Sequence, residues 1–226
     1  MKIKVVFIWT LIAFAIIASF FLDDIIVKDV SLLRNNILDK FFLIITYLSS
    51  EIIIFAIVTA LFLWKDKKRR WILPLWLSLG VSAIVGFLLK VTVQRARPFQ
   101  LGIVSLLSIL QEASYEIWNF SFPSNHSMLA FCIVPILAEQ YPKLKKVWVG
   151  IAVLIAFSRI YFGLHFLSDI IAGGAIGYLI GMMIVHLEKE HKFGNRFYEI
   201  IKEGMGKMIK RKDKLDIKKR EKKRKR

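Results

Sequence analysis

The 226-residue chain has a single cysteine, Cys132, and it lies inside an apolar run. That excludes an internal disulfide and any zinc site built on several thiolates, and leaves Cys132 as a packing residue. The amino-terminal stretch is charged and then apolar from Val5 to Leu22, yet it lacks a small-residue cleavage pattern before Asp23 and Asp24. It therefore reads as a retained first span rather than a removed signal. Acidic residues are scarce, 17 against 34 basic ones, for a net charge of +17. The carboxy-terminal stretch lacks the interleaved aromatics on which bases stack, so nucleic acid is not the expected partner of its charge.

What the chain has in abundance is apolar sequence. It is 56% hydrophobic with a mean hydropathy of +0.55, too apolar for a soluble domain of this size. Six apolar segments emerge: Val5 to Leu22, Phe41 to Trp64, Trp71 to Leu89, Ser127 to Ala138, Val147 to Phe157 and Phe166 to Leu187. The expected fold is all-α, a polytopic membrane protein with a six-transmembrane-helix bundle in residues 1–187. The fourth and fifth segments are short of the roughly 20 residues a span needs and must extend into their polar flanks. In the second, Glu51 leaves a further option, in which Phe41 to Ser50 forms an interfacial turn of helix before the span. Trp64, Trp71 and Trp148 sit at segment ends, as an aromatic belt would. In the sixth segment Gly173, Gly177 and Gly181 form a small-residue stripe for close helix approach, within one bundle or between two copies.

Charge orients the bundle. With six spans, Lys2 and Lys4, the run Lys65 to Arg70, Lys143 to Lys146 and the carboxy-terminal tail share one side, which the positive-inside rule makes cytoplasmic. Both termini are then cytoplasmic, in a plasma (inner) membrane. Residues 188–226 carry 17 Lys and Arg against 7 Asp and Glu, a net +10, and read as a basic cytoplasmic tail attracted to anionic headgroups. Lys90, Arg95, Arg97 and Arg159 fall on the opposite side, against the rule. Cations placed there imply a task. The outer stretch Phe99 to Phe122 is too rich in Leu, Ile and Val for a solvated linker, and reads as an interfacial amphipathic helix or a cap over the bundle.

Three outward-facing patches carry matching chemistry. The first is KVTVQRARP, in which Lys90 and Arg97 lie two turns apart if the helix persists, ready to bracket a phosphate with a point charge and a planar fork. The second is FPSNHS, where Ser124 is an N-cap candidate at a helix start whose free N–H groups suit an anion, and His126 stands beside it. The third is SRIYFGLHFLSD. There His165 and Asp169 are four residues apart on one helical face, so the carboxylate can hold Nδ1–H and leave Nε2 free to attack phosphorus. Each patch has a plain alternative: cations anchoring a span end, an interfacial histidine, a structural ion pair.

Together the patches resemble the type 2 phosphatidic acid phosphatase superfamily, the membrane lipid phosphatases that share a site with vanadium haloperoxidases. The first motif is complete in Lys90, Arg97 and Pro98, and the third in Ser158, Arg159, His165 and Asp169. At residue frequencies of roughly one in twenty, the third alone arises by chance in about one chain in a thousand. The second departs, with Asn125 where the family usually has glycine; asparagine tolerates a left-handed backbone, so the turn is expected to survive.

The resemblance implies a metal-independent lipid phosphatase needing no cofactor, with its active site at the non-cytoplasmic membrane interface. His165 is the implied nucleophile, Asp169 its orienting acid and His126 the general acid and base. Lys90, Arg97, Ser124, Asn125 and Arg159 are the implied phosphate-binding residues. The implied substrate is a membrane lipid phosphate: a polyprenyl diphosphate, phosphatidylglycerol phosphate, phosphatidate or lipid A phosphate. The competing readings are a scaffold or transporter that binds anionic lipid without chemistry, and a phosphotransferase using the same site.

Overall fold

The computed structural model describes residues 2–105, 107, 110, 120–204 and 206–208. Among them every regular element is helical. The long helices are α1 (Lys2–Ser31), α2 (Asn36–Leu48), α3 (Glu51–Leu63), α5 (Ile72–Val93), α6 (Asn125–Gln140), α7 (Lys145–Tyr161) and α8 (Leu167–His191), with a single turn, α4 (Asp66–Arg69), between α3 and α5. Each of the six apolar segments falls on helix. Half of the stretch Phe99 to Phe122, expected as an interfacial helix or cap, lies outside the described residues, as does the tail from 209 onward.

Two differences from the sequence reading bear on the site. The first apolar run ends at Leu22 but its helix does not, because α1 continues two turns past Asp23 to Ser31 and keeps Asp23 on its buried side. The second apolar segment is two helices, α2 and α3, bent by 67° at Ser49 and Ser50. Serine pairs are favoured break points, and here the Ser49 hydroxyl donates back to the Thr46 carbonyl at 3.0 Å. By length and apolarity, Asp66–Val93 and Leu167–His191 each suffice to cross a membrane, with the bent α2–α3 pair as a third. Helices α6 and α7, at 16 and 17 residues, are shorter. Of the tryptophans, Trp64 is exposed as a belt residue would be, whereas Trp71 is buried at the start of α5.

Helix α6 is the centre of the bundle, packed against α5, α7 and α8. Met128, Cys132, Val134 and Ile136 are fully enclosed there, which makes Cys132 the packing residue expected. Its most extensive partner is α8, and the glycine stripe is the reason. A Cβ at Gly173 would lie 2.7 Å from the Ser124 carbonyl, and Cβ atoms at Gly177 and Gly181 would collide with the carbonyls of Met128 and Cys132. The stripe thus serves packing within one chain, backbone against backbone. Beyond α8 the chain turns at Lys192 (φ +50°) into helix at 193–204, and the buried Glu188 carboxylate accepts from the N–H groups of Gly194 (2.7 Å) and Asn195 (3.3 Å).

Gly177→Ala is expected to cost about 1–3 kcal/mol, the usual range for overpacking against atoms that cannot move. Gly150→Ala, where a new methyl meets nothing within 4 Å, serves as the comparison. Thermal unfolding of the two variants in detergent checks the difference.

Candidate active site

The first contributor is the end of α5. Lys90 is buried in its last turn, and its ammonium donates to the Phe120 carbonyl at 2.5 Å. The helix does not persist to Arg97: Gln94 adopts a left-handed conformation (φ +51°) and closes it, with its N–H on the Lys90 carbonyl. Lys90 and Arg97 therefore do not share a helical face as the spacing implied. They reach the same place by different routes, Arg97 from the extended segment beyond the cap.

The second contributor is the start of α6. Ser124 is its N-cap, as expected, accepting from the Ser127 N–H at 3.4 Å. Asn125 is the first residue of the helix and has no positive φ, so the left-handed turn foreseen for it is not formed. Its carboxamide oxygen is buried without a hydrogen-bond partner and lies against Gly86 of α5, where a Cβ would stand 2.6 Å away. His126 follows, with Arg159, His165, Arg97 and Lys90 all within electrostatic reach of its ring.

The third contributor is the α7–α8 connection. Ser158 donates to the Ile155 carbonyl within α7, and Arg159 is buried in its last turn, 3.4 Å from the Thr46 hydroxyl with its Nε unpartnered. Gly163 (φ +66°) makes the turn after α7; any side chain there would also strike Val104. The amides of Leu164 and His165 then fold back on the Arg159 carbonyl at 2.9 and 3.3 Å, which points the His165 ring inward.

These elements converge on His165. Arg97 Nη1 donates to the Leu164 carbonyl at 3.1 Å and stands 3.3 Å from His165 Nε2. A guanidinium only donates, so this contact makes Nε2 an acceptor and assigns the proton of the neutral ring to Nδ1. Burial, then Arg97, Lys90 and Arg159, hold the imidazole well below the usual histidine range, and the ring is kept neutral.

The hydrogen bond expected between His165 and Asp169 is not closed. Nδ1 stands 3.7 Å from Asp169 Oδ2 and has no hydrogen-bond partner. The carboxylate is engaged elsewhere: Oδ2 accepts from the Ser121 hydroxyl (2.5 Å) and the Phe166 N–H (2.8 Å), and Oδ1 from Arg95 Nη1 (2.8 Å). The Phe166 bond arises because Asp169 is the third residue of α8 and caps its own helix. Resting catalytic hydrogen bonds are often long in this way.

Sequence reasoning missed Asp23, Arg95, Ser121 and Ser168 as members of the site. Arg95 stood out only as one of four cations against the charge rule, and Asp23 only as the acid ending an apolar run. Among the described residues, no set of three or more His, Cys, Asp and Glu side chains is grouped to hold a metal ion.

The profile of the PAP2 superfamily matches residues 71–193, more than half the chain and all three contributors. Phosphatidylglycerophosphatase B of Bacillus subtilis (strain 168) is 28% identical over 183 residues, 75% of this chain and 85% of that protein. Undecaprenyl-diphosphatase of Sulfolobus acidocaldarius is 31% identical over 134 residues, 58% of this chain and 62% of that one. The crystal structure of a transmembrane PAP2-type phosphatidylglycerolphosphate phosphatase from Bacillus subtilis superposes with a TM-score of 0.64 at 28% identity, covering 84% of this chain and 97% of the other. Helical architecture, three converging motifs and this match agree, and the chain belongs to the PAP2 superfamily.

Proposed function

We propose that the protein is an integral membrane phosphatase that removes phosphate from a phosphate monoester or diphosphate of a membrane lipid through a phosphohistidine. The observation that carries this is the Arg97 contact on His165 Nε2, which leaves a neutral imidazole with its lone pair facing the cations that would hold a phosphate. In the first step Nε2 forms a bond to phosphorus while the bond from phosphorus to the lipid oxygen breaks in line. Arg97, Lys90 and Arg159, with Ser124 and Asn125 at the α6 start, receive the equatorial oxygens, where charge gathers. A phosphate oxygen then takes the place of Nε2 as acceptor for Arg97. His126 gives its proton to the leaving oxygen, then accepts one from a water whose oxygen bonds to phosphorus as the Nε2–phosphorus bond breaks, releasing phosphate and restoring the free imidazole. As Nδ1 gains positive character, Asp169 supports it.

The chain crosses the bilayer six times in this reading, with both termini cytoplasmic and the site on the outer face. An apolar groove of about 630 Å³ beside the third motif, bordered by Ile160, Leu167, Ile170 and Tyr178, supports a lipid as the substrate. The tail lies on anionic headgroups.

Phosphate release from detergent-solubilised protein, measured across a polyprenyl diphosphate, phosphatidylglycerol phosphate, phosphatidate and lipid A phosphate, tests the reading. Binding without release on all four would favour a non-enzymatic lipid-binding protein. His165→Ala is expected to abolish turnover on every substrate. His126→Ala should harm monoester cleavage more than diphosphate cleavage, because an alcohol leaving group needs its proton more than a phosphate does; equal losses would remove that assignment.

The pH profile follows from the sign of the His165 shift. The nucleophile must be unprotonated and its proton affinity is lowered, so kcat/KM is expected to hold on the acid side to below about pH 6.5, the ordinary histidine value. His126 must carry a proton in the step where His165 carries none, so the two rings are required in opposite protonation states and the profile is expected to be bell-shaped. A flat profile between about pH 4 and 9 would contradict the pair of roles. Finally, phosphate release should persist in EDTA, and strong inhibition by the chelator would show a metal in the reaction.

A further inference from the structure

Behind His165 lies a charge cluster that ties the third motif to Asp23, which lies outside all three, through Arg95, a residue of the first patch with no role in phosphate binding. Arg95 bridges two carboxylates: Nη1 donates to Asp169 Oδ1 (2.8 Å) and to the Ser168 hydroxyl (2.6 Å), and Nη2 donates to Asp23 Oδ2 (2.7 Å). Asp23, on α1, is 2% exposed and uses both oxygens, Oδ1 for the Ser168 N–H (2.9 Å) and Oδ2 for the Ser168 hydroxyl (2.5 Å) as well as for Arg95. The guanidinium lies over the Phe166 ring at 4.0 Å and near that of Phe20 at 4.9 Å.

The cluster has a local cause. Phe166, the N-cap of α8, has no side-chain acceptor for the free N–H groups of that helix start. Asp169 takes the N–H of Phe166, and Asp23 supplies from another helix the acceptor for Ser168. Two carboxylates at one helix start repel, and Arg95 stands between them as the counter-charge to both. Because Arg95 and Ser121 hold Asp169 from two sides, they also decide where its Oδ2 points, which is toward His165 Nδ1.

We propose that Asp23 and Arg95 are positioning residues for the reaction: Asp23 anchors Arg95, and Arg95 fixes the Asp169 carboxylate that orients the His165 ring. This rests on the phosphohistidine reading above. It makes α1, which lies outside the residues matched by the family profile, a working part of the site. Neither residue touches the phosphate, so substrate binding is left to Lys90, Arg97 and Arg159.

The test is steady-state kinetics of Asp23→Asn, Arg95→Lys and the Asp23→Asn/Arg95→Lys double variant in the full chain, with phosphate release as the readout. Each single variant is expected to lower kcat by roughly 10- to 100-fold, as a displaced catalytic group does, with KM nearly unchanged. The charges facing His165 are Asp169 from α8, Lys90 from α5, Arg95 and Arg97 beyond it, Arg159 from α7, His126 from α6 and, through Arg95, Asp23 from α1. Loss of the Asp23 charge leaves that balance more positive, so Asp23→Asn should move the acid limb of kcat/KM to lower pH, by on the order of half a unit. The double variant should lose no more than the worse single one, since the two residues act as one unit. Additive losses, an unmoved acid limb, or a loss confined to KM would overturn the proposal. If Asp23→Asn does not yield folded protein, Arg95→Lys, which keeps the charge but offers no planar fork for two carboxylates, decides the kcat-against-KM question alone. Wild-type protein that releases no phosphate would overturn the phosphatase reading and the clamp together. Active wild type with unaffected variants would overturn only the clamp.

Discussion

Burying positive charge at the end of an apolar bundle costs free energy unless something negative stands beside it, and the site is arranged around that cost. Asp23 and Asp169 are the buried carboxylates near His165, and both engage Arg95. Lys90 and Arg159 make no carboxylate ion pair among the described residues; one rests on a carbonyl and the other on a threonine hydroxyl. Arg159 keeps its Nε without a partner. Such a set is incomplete as a structural network and complete as a receptor for an anion. In the proposed reaction a phosphate group would supply the missing negative charge and several acceptors at once.

The bundle supplies the distances. The α6–α8 pairing is close enough that a glycine is required at each of three successive turns, and the first of them, Gly173, sits under Ser124. The Ser124 N–H in turn reaches the Asp169 carbonyl at 3.1 Å. The start of α6, with Ser124, Asn125 and His126, is thereby locked to the start of α8, next to which His165 stands. Helix packing of the kind found in any membrane bundle thus determines how far one imidazole is from the other. A residue three turns from the chemistry bears on the geometry of the site through this contact alone.

The sequence made the helices and the motif residues legible, because apolar runs and rare polar residues within them are strong signals. It was weaker on how those residues meet. Counting along a helix places Lys90 and Arg97 on one face, and Gln94 ends that helix early. The i to i+4 rule joins His165 and Asp169 but holds inside helices, whereas His165 precedes α8 and Asp169 caps it. Asp23 follows the first apolar run as an acid does at a span end, and the structure carries α1 past it. In each instance the deciding factor was a cap or a tertiary partner, and such choices depend on residues far away in the chain.

Asn125 shows how a departure from a motif is absorbed. An asparagine where the family usually has glycine adds a carboxamide at the start of α6, and that volume must go somewhere. It goes toward α5, where Gly86 has no side chain to meet it. The helical backbone at 125 needs no glycine, so the substitution carries no conformational strain, and the small residue is required on the facing helix instead.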